Sequence, residues 1–248
     1  MRAAPADIIS GRRVIRTFLA ILVMALVLTY PDSSAARRRT NPLVVFPSHP
    51  ERMRAVRYAQ MDRERCRHEL TFRGVDFTFA ESAVGIDAPV ILNGPVRGVR
   101  LARVFAAERA PLAVMDCRLA IALDDLAIIA GDRGIVEVRY SSVHRPKKRR
   151  RSRGHSAGVA IDINEFVRRD GTVLNILDDF QGAGIGSRTC GDGAPRPKSP
   201  KAVELRDLVC AIDESGSFNL LLTPHYDRRH RNHLHLEVRR GIDWFLTQ

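Results

Sequence analysis

Residues 233–238 read His-Leu-His-Leu-Glu-Val. Along an extended chain, successive side chains leave on opposite faces. His233, His235 and Glu237 therefore share one face. Leu234, Leu236 and Val238 share the other and supply a core. A strand is predicted over Asn232–Val238. Two imidazoles side by side make either a metal corner or a polar surface strand, and these six residues leave both open. Glu237 either orients a ligand or is solvated.

A second stretch offers partners. His155-Ser-Ala-Gly158-Val-Ala160-Ile-Asp162 leads into a strand predicted over Val159–Phe166. Gly158 and Ala160 are small and let the backbone pass close to another element. Asp162 stands inside an apolar run, Val159 to Ile163, where a carboxylate is costly to bury unless a cation or hydrogen bonds stabilise it. The plain alternative is an aspartate that caps a turn. Together the two stretches bring His155, Asp162 and His235 from separate strands or strand ends. Three nitrogen and oxygen ligands suit zinc, and a fourth position left to water makes such a site catalytic. Zinc lowers the pKa of that water to about 7. His233, beside His235, is placed to move a proton.

Around these strands the pattern is mixed. Met115–Ala130 carries apolar residues at helical spacing (Leu119, Leu123, Leu126, Ile129), with Gly131 as its end. Ile135–Tyr140 reads as a strand. Asp170-Gly171 is a turn before a returning strand, Thr172–Ile176. Residues 178–198 read as a loop. Ser199-Pro200 opens a helix running to about Ile212, with proline at its first position. Phe218–Leu222 is another strand, and Leu70–Ala80 alternates loosely like one. Residues 84–110 mix short β-like runs with Gly94, Pro95 and Gly98 and receive no element. The predicted fold class is α+β: a small antiparallel β-sheet with flanking helices.

The chain has 248 residues, 45% of them hydrophobic and 27% charged, which excludes a fibrous or wholly disordered protein. The length allows one sizeable core or two small ones. Forty Lys and Arg against 28 Asp and Glu give a net charge of +12. That balance suits a polyanion: nucleic acid, anionic lipid or an acidic cell-wall polymer. The N-terminus narrows the choice. Arg2, Arg12, Arg13 and Arg16 precede an apolar run, Phe18–Leu28, followed by Pro31, Ser33, Ser34, Ala35 and Ala36. These are the three parts of a secretory signal, with cleavage expected after Ala36. The run of 11 residues is short against the roughly 20 of a spanning helix. An uncleaved membrane anchor is the alternative. Export to the periplasm or cell envelope makes nucleic acid an unexpected partner.

Export also makes Cys66, Cys117, Cys190 and Cys210 candidates for two disulfides, with three possible pairings. Cys190 with Cys210 would close a loop rich in Gly and Pro. There is no CxxC, so a thiolate zinc finger is not expected. Residues 1–36 are the signal peptide or anchor, 37–69 a basic, Pro-punctuated linker and extension, and 70–248 the domain. Lys147, Lys148, Arg149, Arg150, Arg151 and Arg153 form a dense basic run, which repels itself and must be an exposed loop. It is either simply solvated or an attractor of anionic cell-wall polymer.

The pattern HxxxxxxD at His155–Asp162, with its inner Gly158 and Ala160, followed by HxH at His233–His235, resembles the LAS superfamily of zinc peptidases. That group takes in D-Ala-D-Ala carboxypeptidases, a murein endopeptidase and hedgehog signalling domains. Pro224-His225-Tyr226-Asp227, leading to His230 and the His-Leu-His-Leu run, is more closely similar to the extensin-like C-terminal domain family of exported bacterial proteins. Arg145 resembles an arginine placed upstream of the first metal motif. The resemblance covers roughly residues 110–240; residues 37–100 have no counterpart.

The resemblance implies a hedgehog/D-Ala-D-Ala peptidase-like fold and Zn2+ held by His155, Asp162 and His235. It implies a zinc metallopeptidase that hydrolyses peptide bonds in peptidoglycan, with zinc-bound water as nucleophile. His233 would assist proton transfer, and His230 would be a further hydrogen-bonding histidine. Arg145 would hold a substrate carboxylate or steady the tetrahedral oxyanion, a surface salt bridge being the alternative. The implied partner is a peptidoglycan peptide or another anionic cell-wall polymer. Three departures matter. Arg153 stands two before His155, where the pattern has serine; Ser152 is one place earlier. Asn232 stands three before the last ligand, where the carboxypeptidases carry a glutamate base. That favours the endopeptidase branch, with its histidine two before the ligand, as His233 is. It also keeps open a non-catalytic zinc-containing cell-wall-binding domain. The third departure is the long basic loop.

Overall fold

A computed structural model describes residues 41–104, 113–146 and 153–248. The expected secretory segment and, Arg153 excepted, the expected basic loop lie outside these residues. In chain order the elements are β1 (Val44–Val45), α1 (Arg54–Gln60), α2 (Arg63–Phe72), β2 (Phe77–Phe79), β3 (Pro89–Leu92), β4 (Arg100–Arg103), β5 (Met115–Asp116), α3 (Cys117–Gly131), β6 (Ile135–Ser142), β7 (Ala160–Arg168), β8 (Val173–Asn175), α4 (Ile176–Asp179), α5 (Pro200–Glu214), β9 (Leu220–Leu222), β10 (Leu234–Glu237) and β11 (Phe245–Thr247). From Leu43 to Gln248 they form one compact unit.

The class is α+β, but the sheet is neither small nor purely antiparallel. Eight strands join in one sheet, in the order β1-β11-β9-β10-β7-β6-β4, with β8 also on β7. The β4–β6 and β11–β9 pairs are parallel. A separate antiparallel sheet of three strands runs β2-β3-β5. The strands that enlarge the main sheet are pieces of two to four residues, too short to show alternation.

The stretch expected as a linker also folds. Asp62 accepts a hydrogen bond from the Arg65 N–H (2.8 Å) and caps α2. Cys66 and Leu70, one helical turn apart, are fully buried on its inner face. Residues 70–72 therefore finish a helix, and only Phe77–Phe79 of the expected Leu70–Ala80 strand is extended. Both α1 and α2 pack on α3, as does α5. The helix α3 is the centre of the core: Leu119, Ile121, Leu123 and Leu126 are at most 1% exposed. Each such side chain contributes about 2 kcal/mol by burial. The disulfides are Cys66–Cys117, which ties α2 to the start of α3, and Cys190–Cys210. By loop length they are worth about 4 and 3 kcal/mol.

The strand β7 organises the site. Along one edge it pairs with β6; along the other it pairs first with β10 and then with β8. In the β7–β10 register His235 lies opposite Asp162. Leu234, Leu236 and Val238 are fully buried, so the opposite face of β10 carries the histidines. Just before β7, residues Gly154–Ala157 form a single 3-10 turn that carries His155. Gly158 closes it at φ 66°. A side chain there would stand 2.7 Å from Ile86 Cδ1 and 2.9 Å from the Asp116 nitrogen, so both the conformation and the space require glycine.

Candidate metal centre

Three side chains converge from the 3-10 turn, β7 and β10. His155 Nε2 is 2.9 Å from Asp162 Oδ1, His235 Nδ1 is 2.9 Å from the same oxygen, and the two nitrogens are 3.2 Å apart. Ligands at the roughly 2.0–2.1 Å of tetrahedral zinc–nitrogen bonds stand about 3.3 Å from one another. The triangle has the size of one face of such a site. Among the described residues, these three are the group of His, Cys, Asp and Glu close enough to share an ion.

The outer contacts settle the tautomers. The His155 Nδ1 lies 2.9 Å from the Val143 carbonyl, which can only accept, so Nδ1 carries the hydrogen. His235 Nε2 lies 3.2 Å from Glu237 Oε2 and donates to it. Each neutral ring therefore aims a lone pair at the anionic Oδ1 of Asp162. Three electron-rich atoms facing one point repel unless a cation stands between them. Partners of this kind orient metal-binding histidines.

Without a metal, a proton takes that role. Burial disfavours the His235 cation, but hydrogen bonds to Asp162 and Glu237 outweigh burial and push the pKa up to about 9. Burial likewise opposes the Asp162 charge, yet the hydrogen bonds of His155 and His235 hold that carboxyl well below the usual range. Glu237 is 1% exposed. Burial works against its charge too, but His235 and then Arg239 hold it down to about 2. Arg239 meets both of its oxygens, at 2.8 and 2.9 Å. Of the two roles left open for Glu237, the solvated one is excluded.

His233 lies just before β10, on the same side. Its Nε2 is 3.5 Å from Asp162 Oδ1 and its Nδ1 is 3.0 Å from Asn232 Oδ1. Burial lowers its pKa to about 4, against the pull of Asp162 and with repulsion from His230. His230 joins the cluster through ring contacts with His233 and His235, at centroid separations of 5.1 and 5.8 Å. Its Nδ1 is held by Asp227 Oδ1 at 2.7 Å, and among the described residues Nε2 has no hydrogen-bond partner. Tyr226 packs on its edge at 5.3 Å. Arg145 reaches the other oxygen of Asp162: Nη2 to Oδ2 is 2.5 Å, and Nε donates to Ser142 Oγ at 2.7 Å. All six site residues singled out in the sequence thus lie in one neighbourhood.

Some partners have no mark in the His/Asp pattern. Asp227 looks like a turn cap, and it does cap: it accepts from the Arg229 and His230 N–H groups. Its second role with His230 follows from the three-residue spacing on that turn. Arg239 is two residues past Glu237, a spacing that puts strand neighbours on one face. Ser142 and the Val143 carbonyl follow only from the β6–β7 pairing. His225, from the Pro224–Asp227 stretch, is not in the cluster. It is fully buried, accepts from the Ala183 N–H at 2.9 Å and meets Thr189 Oγ1 at 3.1 Å.

No curated protein and no solved structure matches this chain. Among the described residues, no helix is long and apolar enough to cross a membrane. The segment that does match a family model runs from β6 to β11 and holds the whole histidine and aspartate cluster: residues 137–246 match the family described as extensin-like protein C-terminus.

Proposed function

We propose that this chain is an exported zinc-dependent peptidase that hydrolyses peptide bonds in peptidoglycan, acting within chains rather than at their ends. The observation that carries the proposal is the convergence of His155 Nε2, Asp162 Oδ1 and His235 Nδ1, each turned inward by an outer partner. The donor set is of the nitrogen and oxygen kind that catalytic zinc takes, with three protein ligands. Zinc bound there would supply Lewis-acid activation of water and of the scissile carbonyl. His155, Asp162 and His235 would hold it. His233, whose Nε2 lies 3.5 Å from Asp162 Oδ1, would take a proton from the attacking water and pass it to the leaving amine. Asp227 keeps the hydrogen of His230 on Nδ1, so the other nitrogen can accept a hydrogen bond. Arg145 fixes the orientation of Asp162 through Oδ2.

A second reading has its own observation. Asn232 stands where a glutamate base would be, and the two carboxylates nearest the centre, Asp162 and Glu237, are both fully engaged. A zinc-containing domain that binds cell wall without cutting it would have the same ligands. Digestion of purified peptidoglycan separates the two, with His235→Ala as the control and the released fragments weighed. New fragments from the zinc-loaded wild type alone support the peptidase. Wall binding without fragments supports the second reading. Zinc at 100 times its dissociation constant should stabilise the fold by about 2.7 kcal/mol in thermal unfolding, and His235→Ala should abolish that gain. A wild type that gains nothing refutes both.

A further inference from the structure

Arg145 lines two cavities. One, of about 250 Å3, contains His155 and His235 together with Arg153 and Arg239. The other, of about 450 Å3, lies along the end of β6 and is lined by Arg103, Tyr140, Ser142 and His144 among others. Arg145 stands in the wall of both, so a ligand at the His155–Asp162–His235 cluster that extends past this side chain would meet the second cavity.

The charge of the two cavities is one-sided. No acidic side chain lines the second among the described residues, while Arg103 and Arg145 both do. The first has one acid in its wall, Glu237, already paired with Arg239 and His235. Several arginines elsewhere are matched by carboxylates: Arg73 with Glu69, Asp124 and Asp125, Arg97 with Asp124, and Arg139 with Glu137 and Glu165. Arg103, at the end of β4 opposite Tyr140, has no ion-pair partner among the described residues. Arg145 spends Nε on Ser142 and Nη2 on Asp162, which leaves Nη1 without a partner among them. A guanidinium without a carboxylate partner among the described residues, Arg103, facing the same cavity as the unused Nη1 of the Asp162-paired Arg145, makes a receptor for a carboxylate.

We propose that the cavity between Arg103 and Arg145 is a subsite for an acidic side chain of the peptide, so that Arg103 sets a preference for substrates bearing a carboxylate near the bond presented to the metal centre. The proposal rests on the peptidase reading for the word substrate, but the subsite itself is a matter of binding.

The test uses the whole chain, zinc-loaded and zinc-free. The probes are capped, fluorescently labelled hexapeptides of Ala and Gly with a single Glu, or its Gln counterpart, moved along the sequence. Fluorescence anisotropy should show at least one Glu peptide binding about tenfold more tightly than its Gln twin, with the preference fading at high salt. Arg103→Gln should remove that preference, and Arg103→Lys should restore part of it. Zinc affinity measured on the same Arg103→Gln protein should match the wild type, which shows that the metal centre and fold are intact. Equal binding of every Glu and Gln pair, no binding of any peptide, or a preference that survives Arg103→Gln overturns the subsite. A Glu preference without cleavage of any probe or of peptidoglycan keeps the subsite and overturns the peptidase reading instead.

Discussion

Replacing Glu237 with glutamine tests whether the centre is built from its outer contacts inward. The carboxylate is 1% exposed and meets three donors: Arg239 Nε at 2.8 Å, Arg239 Nη2 at 2.9 Å and His235 Nε2 at 3.2 Å. Glutamine keeps the shape but turns one acceptor oxygen into an NH2 donor, which must face a donor. Removing one partner of a fully buried ion pair costs roughly 3–5 kcal/mol. Arg239 is 31% exposed, so water recovers part of that, and a loss of about 2 kcal/mol is expected. For a domain of this size that is about 4–8 °C in the thermal midpoint of the zinc-free protein. The metal should feel more. Without the carboxylate, the His235 hydrogen is no longer held on Nε2, and its Nδ1 lone pair is no longer guaranteed to face Asp162. Loss of such a partner typically lowers metal affinity 10- to 100-fold. Zinc titrated in competition with a chromophoric chelator reads this directly. A midpoint that falls as expected with zinc affinity inside a factor of two of wild type would refute the argument: Glu237 would then stabilise the fold without shaping the centre.

Two further perturbations read the scaffold. His225 is held neutral, its pKa pushed down to about 4 by burial and by repulsion from Arg206. Its folded value lies below its unfolded value of 6.5, so its contribution is fully present above pH 6.5 and is lost as the pH falls towards 4. The loss should reach about 3 kcal/mol. Urea unfolding of the wild type and of His225→Asn should differ in this window, and parallel pH profiles would count against it. Gly158→Ala forces a side chain into a left-handed conformation against Ile86 and the Asp116 backbone. It should cost about 2–4 kcal/mol and weaken zinc binding by moving His155, as calorimetry of zinc-free and zinc-titrated protein would show; a neutral effect on both would mean that the turn adapts.

What the sequence reveals depends on whether a residue's neighbours are local. The β10 strand was legible because burial of Leu234, Leu236 and Val238 imposes a strict period of two. Ser199 and Pro200 mark a helix start by capping chemistry alone, and Ser199 Oγ does accept from the Ala202 N–H. The α2 helix was not legible: it buries only Cys66 and Leu70, and its other face is charged, so no apolar stripe announces it. The short strands β1, β4 and β11 exist because a neighbour offers hydrogen bonds, and two to four residues show no period. In the site, the inward-facing His and Asp residues could be read from spacing. Ser142 and Val143 could not, because their roles follow from which strand lies next to which.

The His155–Asp162–His235 cluster also depends on residues far outside the stretch that carries it. The turn bearing His155 ends at Gly158, whose carbonyl accepts from the Asp116 N–H at 2.9 Å. Asp116 is itself fixed: it caps α3 by accepting from the Arg118 N–H, and its Oδ2 accepts from the Ala88 N–H at 3.1 Å. Arg118, completely buried, binds both oxygens of Asp116, reaches Asp87 and donates to the Met61 carbonyl. The disulfide from Cys66 lands on Cys117, between these two residues. A buried guanidinium tied to two carboxylates is costly to displace, and a covalent link beside it limits how far the start of α3 can drift. The position of His155 is therefore set by α2, α3 and the start of β3, none of which lies in residues 137–246. Residues before β6 that add no side chain to the cluster are part of what makes its three polar atoms meet within 3.2 Å.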